Sequence, residues 1–318
     1  MRITMLGNYH SLFCTEVHYA KTLESMGHTV IRLQEAETPG EVVLDWAKNS
    51  DLFFWSKTHG WETPGLSMSE VLKNLRQMGV PSMAYHLDLY MPIPERWKNY
   101  IGSDYFEVEH FFTVDRLMAE WLNENTNCKG HYLRAGVFKD ECIQLPSTTP
   151  FADVVFVGSK GYHPEWPWRP QLIDWLHETY GDRFKHVGGD GIGVVRGMEL
   201  NQLLANTKVV VGDSLCPNFD YPDYFSDRPF ELISRGAFLL MPEIIGLDKC
   251  FEYGKEIDTF KFGEFEGLKS KIDYYLEHDE EREKIRKAGF ERGKNEHTYR
   301  HRWTEIINTL KIAGDLPI

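Results

Sequence analysis

The stretch from Leu200 to Gly246 constrains the fold of this chain most strongly, because apolar and polar segments alternate in it in an α/β order. Within it, the run Thr207–Gly212 is β-branched and apolar, which is typical of a parallel strand covered on both faces. A long polar loop, a helix pattern from Asp227 and a second apolar run, Ala237–Met241, follow that strand. The stretch therefore predicts two strands of a doubly wound parallel sheet.

The polar loop Asp213–Ser226 is the part of this stretch that we expect to bind a ligand. Ligands of open α/β sheets bind outside the carboxyl ends of the strands, and loops of this length in compact domains are usually functional. The candidate ligand-binding residues of the loop are Asn218, Asp223, Tyr224 and Ser226. Arg228 and Glu231 follow in the first two turns of the next helix, where an Arg suits a phosphate and a carboxylate can accept from ribose hydroxyls. The alternative is a capped helix with a surface ion pair.

The rest of the chain repeats the same alternation of strand and helix patterns. One set begins with the strand Arg2–Leu6 and a second set begins with the strand Asp153–Val157. Between them, Cys142–Phe151 is rich in Pro, Ser and Thr, so we predict that it is an inter-domain hinge. The predicted domains are 1–145 and 152–297, followed by a C-terminal helix within 298–318.

The helix that begins near Asp227 carries a more specific resemblance. Ser226-Asp-Arg228-Pro-Phe-Glu231, followed by Gly236-Ala-Phe-Leu-Leu, is similar to the donor-binding signature of the CgeB-like, spore-maturation-type branch of GT-B glycosyltransferases. In the wider GT-B group a Glu five residues before a Gly holds the nucleotide ribose, and Glu231 and Gly236 keep that spacing. The group's first Glu falls on Asp223, which is a conservative departure. The resemblance covers roughly 153–310 well and the first half only in outline.

The resemblance implies an α/β fold with two Rossmann-like domains facing a cleft. It places the acceptor side in 1–145 and nucleotide-sugar binding in 152–297, with a helix within 298–318 returning toward the first domain. It also implies transfer of a sugar from a nucleotide-diphosphate donor, most simply a UDP-sugar, to a hydroxyl acceptor, with no cofactor beyond this co-substrate. The sequence contains no Asp-x-Asp pair of the kind that holds a divalent ion in GT-A enzymes. We therefore expect no metal site and a metal-independent reaction in which Arg228 meets the diphosphate charge.

In each half of the chain, a glycine-containing turn follows the first strand. Such turns can bring backbone N–H groups to a ligand. In the first half they make Asn8, His10 and Ser11 the acceptor-side loop candidates; in the second they add Gly158 and Ser159 to the donor-side candidates. Arg169, at the start of the next helix, is a further phosphate candidate, with an exposed Arg as the alternative. The loop 188–193 satisfies no dinucleotide fingerprint, and the resemblance places it beside the nucleotide base.

Three strand-end residues of the first half are candidates for the base that deprotonates the acceptor. Asp88 ranks first, because the family carries an Asp at a similar strand end. His86 lies on the same strand face two residues earlier, and His59 follows the strand Asp51–Trp55. Each could equally be a hydrogen-bonded structural residue. A base of this kind contributes about 10²–10⁴-fold to a rate.

Composition limits the partners. The net charge of −13 disfavours phosphate-rich partners, so a glycan or small hydroxylated acceptor is favoured over a hydroxymethylated DNA base. The 5 cysteines form no C-x-x-C pair and no apolar run is long enough to span a membrane, which predicts a cytoplasmic protein. A nucleotide-sugar epimerase of the same fold and a non-catalytic assembly or surface protein are the alternatives. The sequence does not predict the oligomeric state.

Overall fold

The computed structural model describes residues 1–58 and 61–317, and its strands form two parallel sheets. The strands of the first sheet are β1 Arg2–Gly7, β2 Thr29–Gln34, β3 Leu52–Trp55, β4 Ser82–His86, β5 His110–Thr113 and β6 Lys129–Tyr132, in the order β2-β1-β3-β4-β5-β6. Those of the second are β7 Ala152–Val157, β8 Phe184–Val187, β9 Thr207–Val211, β10 Leu239–Pro242 and β11 Asp258–Phe260, in the order β11-β10-β9-β7-β8.

Helices connect these strands as βαβ units require. They are α1 Thr15–Ser25, α2 Gly40–Ala47, α3 Met68–Gln77, α4 Pro94–Trp97, α5 Arg116–Asn125, α6 Trp168–Tyr180, α7 Gly197–Ala205, α8 Arg228–Ser234, α9 Phe265–Glu277, α10 Asp279–Glu296 and α11 Tyr299–Ile312. None of them, within the described residues, combines the length and apolar character needed to cross a membrane.

The chain divides into two compact units. The first comprises Met1–Arg134 and Tyr299–Ile318, and the second comprises Ala135–Thr298. The segment Cys142–Phe151, predicted to be a hinge, begins inside the second unit, where the side-chain amide of Asn201 donates to the carbonyl oxygen of Ile143 at 2.7 Å. The Pro- and Ser-rich composition there reflects a bound surface segment of that unit.

The first unit is built around central strands that are buried on both faces. All four residues of β3 are buried, as expected for a parallel strand between helix layers. Helix α11 completes this unit: its Trp303 is fully buried and its ring lies 5.2 Å from the ring of Phe54 and 5.7 Å from that of Tyr19. The last helix of the chain is therefore part of the core of the first unit.

Beyond α11, hydrogen bonds link Asp315 in the C-terminal segment to His110 of β5 and, through His110, to His131 of β6. His110 Nε2 lies 2.8 Å from a carboxylate oxygen of Asp315, and His110 Nδ1 lies 2.9 Å from His131 Nε2. The simplest assignment has His110 donating to Asp315 and accepting from His131, with both rings neutral. Burial, together with the neighbouring His110 and Lys129, lowers the pKa of His131 to about 4.

This arrangement predicts that acid weakens the first unit. The pKa of His131 is lower in the fold than in the unfolded chain, so its contribution to stability is complete above about pH 6.5 and is lost as the pH falls toward 4. After allowance for its partial exposure we expect a loss of about 1 kcal/mol. His131→Gln keeps a donor for His110 but does not titrate. Calorimetric unfolding at pH 5 and 7.5 should show a smaller decrease for this variant than for the wild type; equal decreases would contradict the assignment.

Candidate active site

The second unit gathers charged side chains at the carboxyl end of β9. Asp213 follows that strand and is fully buried; it accepts from Arg169 Nε at 2.9 Å and from the indole N–H of Trp166 at 3.0 Å. The guanidinium of Arg228 donates to the backbone carbonyl oxygen of Asp213. Two guanidinium groups therefore converge on Asp213, that of Arg169 on its carboxylate and that of Arg228 on its backbone carbonyl oxygen. We call Arg169, Asp213 and Arg228 the arginine pair site.

Arg228 is held in a position that suits an anion. Its guanidinium carbon lies 5.2 Å from the centre of the ring of Phe156, a residue near the end of β7. Burial, together with the positive charge of Arg169, lowers the pKa of Arg228 to about 10, while the negative charges of Asp213, Asp227 and Glu231 act in the opposite direction. The residue is still protonated at neutral pH, and an anionic ligand would relieve the repulsion between the two guanidinium groups.

Gly158 allows Arg228 to approach the turn after β7. Its φ is +135°, and a Cβ atom at this position would collide with the guanidinium group of Arg228. The backbone conformation thus favours glycine, and a larger residue would also displace the guanidinium group of Arg228. The structure brings together two residues, Gly158 and Arg228, that the sequence marked separately. Ser159 follows in the same turn, and its carbonyl oxygen accepts from Arg169 at 3.4 Å.

Glu231 lies one turn into α8, and a second arginine orients it. Arg235 Nη2 donates to Glu231 at 3.1 Å, and the same guanidinium group also pairs with Glu141 and donates to Asn201 Oδ1 at 2.8 Å. Arg235 is only 2 % exposed, whereas the side chain of Glu231 is 30 % exposed. Arg235 therefore holds Glu231 in place while a ligand can still reach it.

Three residues of the loop before α8 have left-handed backbone conformations, which residues other than glycine rarely adopt. Asn218, Phe219 and Asp223 have φ values of 57°, 61° and 53°. Such left-handed conformations cost roughly 1–3 kcal/mol for residues other than glycine and cluster at functional sites. Asp223 is buried and its carboxylate accepts from Lys249 Nζ at 3.0 Å.

The two remaining loop candidates lie deeper in the second unit. Tyr224 is buried, at 4 % exposure. The backbone N–H of Ser226 donates to Ser214 Oγ at 2.9 Å, whereas its own hydroxyl is buried and has no hydrogen-bond partner among the described residues. Ser226, next to Arg228, therefore offers a hydroxyl that a ligand oxygen could satisfy.

The loop 188–193 after β8 is tied to the turn after β7. Asp190 accepts from the backbone N–H groups of Lys160 and Gly161, both at 2.9 Å. Burial would raise the pKa of Asp190, but these two hydrogen bonds lower it below its ordinary value. Asp190 is therefore ionised and orders both loops, a role that the sequence did not reveal.

In the first unit, the acceptor-side loop after β1 is organised by its own side chains. Asn8 Oδ1 accepts from the backbone N–H of His10 at 3.1 Å, and Ser11 Oγ accepts from that of Phe13 at 3.2 Å. The sequence pattern predicts a helix over His10–Met26, but α1 begins at Thr15, because these bonds compete with helix formation. The His10 side chain is exposed and lies 3.3 Å from Glu37.

The candidate bases occupy different surroundings. His86 is 4 % exposed and lies among aromatic rings, with that of Tyr90 at 4.5 Å. Asp88 is half-buried, and its carboxylate accepts from the Tyr90 hydroxyl at 3.2 Å. His59 lies outside the described residues. Of the two described candidates, Asp88 is the more accessible to solvent.

Two carboxylates near Asp88 were not among the predicted site residues. Glu35 follows β2; it accepts from the backbone N–H of Thr58 at 2.7 Å and from Trp55 Nε1 at 3.1 Å. Burial raises the pKa of Glu35 to about 7. Glu16, in the first turn of α1, accepts from the Ser56 hydroxyl at 2.7 Å, and burial raises its pKa. Glu35 at a strand end was a detectable signal, whereas Glu16 was concealed within a helix pattern.

No three His, Cys, Asp or Glu side chains in the described parts of the chain lie together as a metal site would require. The candidate groups are instead the arginine pair site with Glu231 in the second unit, and Asp88 with its neighbouring carboxylates in the first. Both sets lie at the carboxyl ends of parallel strands, where α/β proteins bind their ligands.

Comparison with known proteins agrees with this geometry. Residues 165–308, a range that covers most of the second unit and extends into α11, match a family described as glycosyl transferase-like. No match was found among curated protein sequences. The fold resembles that of HepE from Anabaena in complex with UDP, with a TM-score of 0.61 and 13% identity over 98% of this chain and 100% of that one.

Two further structures show the same fold. A glycosyltransferase from Rickettsia africae has a TM-score of 0.63 and 14% identity over 98% of this chain and 99% of that one. An α-glucosyltransferase in complex with UDP and a 13-mer DNA containing an HMU base has a TM-score of 0.62 and 9% identity over 98% of this chain and 99% of that one. The predicted fold class, two Rossmann-like domains of the GT-B type, is confirmed.

Proposed function

We propose that this glycosyltransferase moves a sugar from a UDP-sugar to a hydroxyl acceptor without a metal ion, and that it belongs to the CgeB-like branch of GT-B enzymes. The observation that carries the proposal is the arginine pair site, in which Arg228 reaches the turn at Gly158 within the glycosyltransferase domain. A buried guanidinium group beside a turn of backbone N–H groups is suited to a diphosphate.

The donor is held by three sets of groups in this proposal. Arg228, supported by Arg169, neutralises the charge that develops on the leaving diphosphate. Glu231, oriented by Arg235, accepts hydrogen bonds from the ribose hydroxyls. The loop 188–193 lies beside the nucleobase. The absence of an Asp-x-Asp pair from the sequence and the presence of two arginines for the same charge support metal-independent transfer.

Asp88 serves as the base in this proposal. It takes the proton of the acceptor hydroxyl as the new bond from that oxygen to the anomeric carbon forms; the bond from this carbon to the diphosphate oxygen breaks, and UDP leaves. Asp88 is preferred because its side chain is half-buried, whereas His86 is almost completely buried. Its hydrogen bond from Tyr90 fixes the orientation of the carboxylate.

A glycan or another hydroxylated small molecule is the favoured acceptor. Glu16, Glu35 and Asp88 place three carboxyl groups near one another at the carboxyl edge of the first sheet, and coulombic interactions couple Glu16 to both of the others. Burial raises the pKa of Glu16 and of Glu35, so the net charge of −13, and not this cluster, is what disfavours a phosphate backbone. A hydroxymethylated DNA base is the alternative acceptor, because a protein of similar fold forms a complex with DNA that contains an HMU base.

Product analysis with a radiolabelled UDP-sugar tests the proposal. The protein is incubated in EDTA with the donor alone, with mixed oligosaccharides and with hydroxymethylated DNA. We expect label in the oligosaccharides together with released UDP. An epimerised sugar formed from the donor alone would identify an epimerase instead, and label in the DNA would reverse the order of acceptors. If the protein binds UDP but forms no product in any of the three incubations, a non-catalytic role is favoured.

A further inference from the structure

A cluster of aromatic rings lies beside the arginine pair site in the second unit. It is formed by Trp166 and Trp168 after β7, Phe219 after β9, and Phe262 after β11. The ring centre of Phe219 lies 5.4 Å from that of Trp166, 5.9 Å from that of Trp168 and 4.9 Å from that of Phe262. We call these four residues the aromatic cluster. The loops that supply it all leave the carboxyl edge of the sheet, where ligands of this fold bind.

Phe219 is the exposed member of the aromatic cluster. Half of its surface is accessible, whereas Trp166 and Trp168 are each 5 % exposed. Its φ of 61° follows that of 57° at Asn218, so two successive residues adopt the left-handed conformation that presents this ring. A Phe that served only to fill the core would not need a strained backbone and an exposed face. The combination indicates a ring that is held ready for a ligand.

Trp166 connects the aromatic cluster to the arginine pair site. Its ring packs on Phe219, and its indole N–H donates to the carboxylate of Asp213, which also accepts from Arg169. Arg228 binds the backbone carbonyl oxygen of the same aspartate. Only one indole ring therefore separates the exposed face of Phe219 from the groups that would hold a diphosphate.

The order of the strands separates this cluster from the loop 188–193. In the sheet β11-β10-β9-β7-β8, that loop follows the edge strand β8, whereas the loops of Phe219 and Phe262 follow β9 and β11 on the opposite side of β7. Gly158 and Arg228 meet at the end of β7 itself. A nucleotide sugar likewise carries its base and its sugar at opposite ends of the diphosphate.

We infer that Phe219 is a specificity-determining residue whose exposed ring stacks on the apolar C–H face of the donor's hexopyranose. This inference rests on the proposed function, because the diphosphate at Arg228 is what brings the sugar to the aromatic cluster. It names the donor class: a hexose that offers a continuous face of C–H groups to an aromatic ring. The nucleoside does not contact this ring.

Calorimetric titration of UDP and of UDP-glucose tests the inference in the intact chain. Phe219→Ala should bind UDP within about twofold of the wild type but bind UDP-glucose about five- to tenfold more weakly, as the loss of one aromatic stacking contact implies. Phe219→Tyr should bind both ligands as the wild type does. Met198→Ala removes another exposed apolar side chain of the same unit and should change neither affinity.

A further variant separates the ring from the loop that carries it. Phe219→Gly removes the ring and also relieves the left-handed backbone, so it should lose UDP-glucose affinity as Phe219→Ala does. The inference is overturned if Phe219→Ala weakens UDP and UDP-glucose equally, or if it leaves UDP-glucose binding unchanged. A wild-type protein that binds no UDP would instead overturn the proposed function.

Discussion

Arg228→Ala is expected to weaken UDP binding by about 10- to 100-fold, because a hydrogen-bonded charged group is worth about 1.5–3 kcal/mol. The substitution removes the guanidinium group beside Gly158 but leaves the ion pair between Arg169 and Asp213 intact. Arg228→Lys should recover part of the affinity, since an ammonium group supplies charge without the planar fork of donors. Titration calorimetry gives the UDP affinities of the wild type, of Arg228→Ala and of Arg228→Lys.

Arg183→Ala is the matched control for this experiment. Arg183 belongs to the same unit, forms an ion pair with Asp153 and has a side chain that is 55 % exposed. Its removal should leave UDP affinity unchanged. Thermal unfolding of each variant distinguishes a lost ligand contact from a lost fold. Wild-type affinity for UDP in a folded Arg228→Ala protein would contradict the role of the arginine pair site.

Asp88→Asn is expected to lower the transfer rate by about 10²–10⁴-fold, with UDP-sugar affinity unchanged. The amide cannot take a proton from the acceptor, but its oxygen can still accept from the Tyr90 hydroxyl, so the loop geometry is preserved. Steady-state transfer rates at saturating donor, together with calorimetric donor affinities, give the two quantities separately.

Glu35→Gln tests the strongest rival for the role of base. Glu35 is 1 % exposed and holds Trp55 and the N–H of Thr58, so we expect it to orient the loop after β3 and to have a smaller effect on the rate. Transfer that survives Asp88→Asn undiminished but is lost in a folded Glu35→Gln protein would move the role of base to Glu35. If the transfer rate falls in neither variant, neither Asp88 nor Glu35 is the base.

The sheets were predictable from the sequence because central strands such as β3, β4 and β10 are buried throughout. A strand such as β9, in which only Lys208 is exposed and the other residues are β-branched, has few alternatives in an α/β chain. Helix α2, Gly40–Ala47, was missed even though Pro39 stands before it. With 8 residues it is too short for periodicity to be decisive.

The candidate site was predictable only where one segment carried the signal. Arg228 and Glu231 belong to one short motif and could be marked together, but their partners Asp213 and Arg235 could not be assigned roles. Asp213 was visible only as the start of a loop. Its contacts with Arg169 and Trp166 join segments that lie 44 and 47 residues away along the chain. A pattern within a single sequence does not report such tertiary pairs. Arg169 shows the same limit: it is a buried partner of Asp213 and not the exposed Arg that was the alternative.

The most direct test of the central claim is calorimetric titration of the wild-type protein with UDP-, GDP- and dTDP-sugars in the presence of EDTA. We predict that a UDP-sugar binds with the chelator present, and that the same titration of Arg228→Ala shows the loss described above. A folded protein that binds none of these nucleotide sugars, with or without added divalent metal, would contradict the claim that the second unit holds a nucleotide-diphosphate sugar; binding only when metal is added would contradict the metal-independent mechanism.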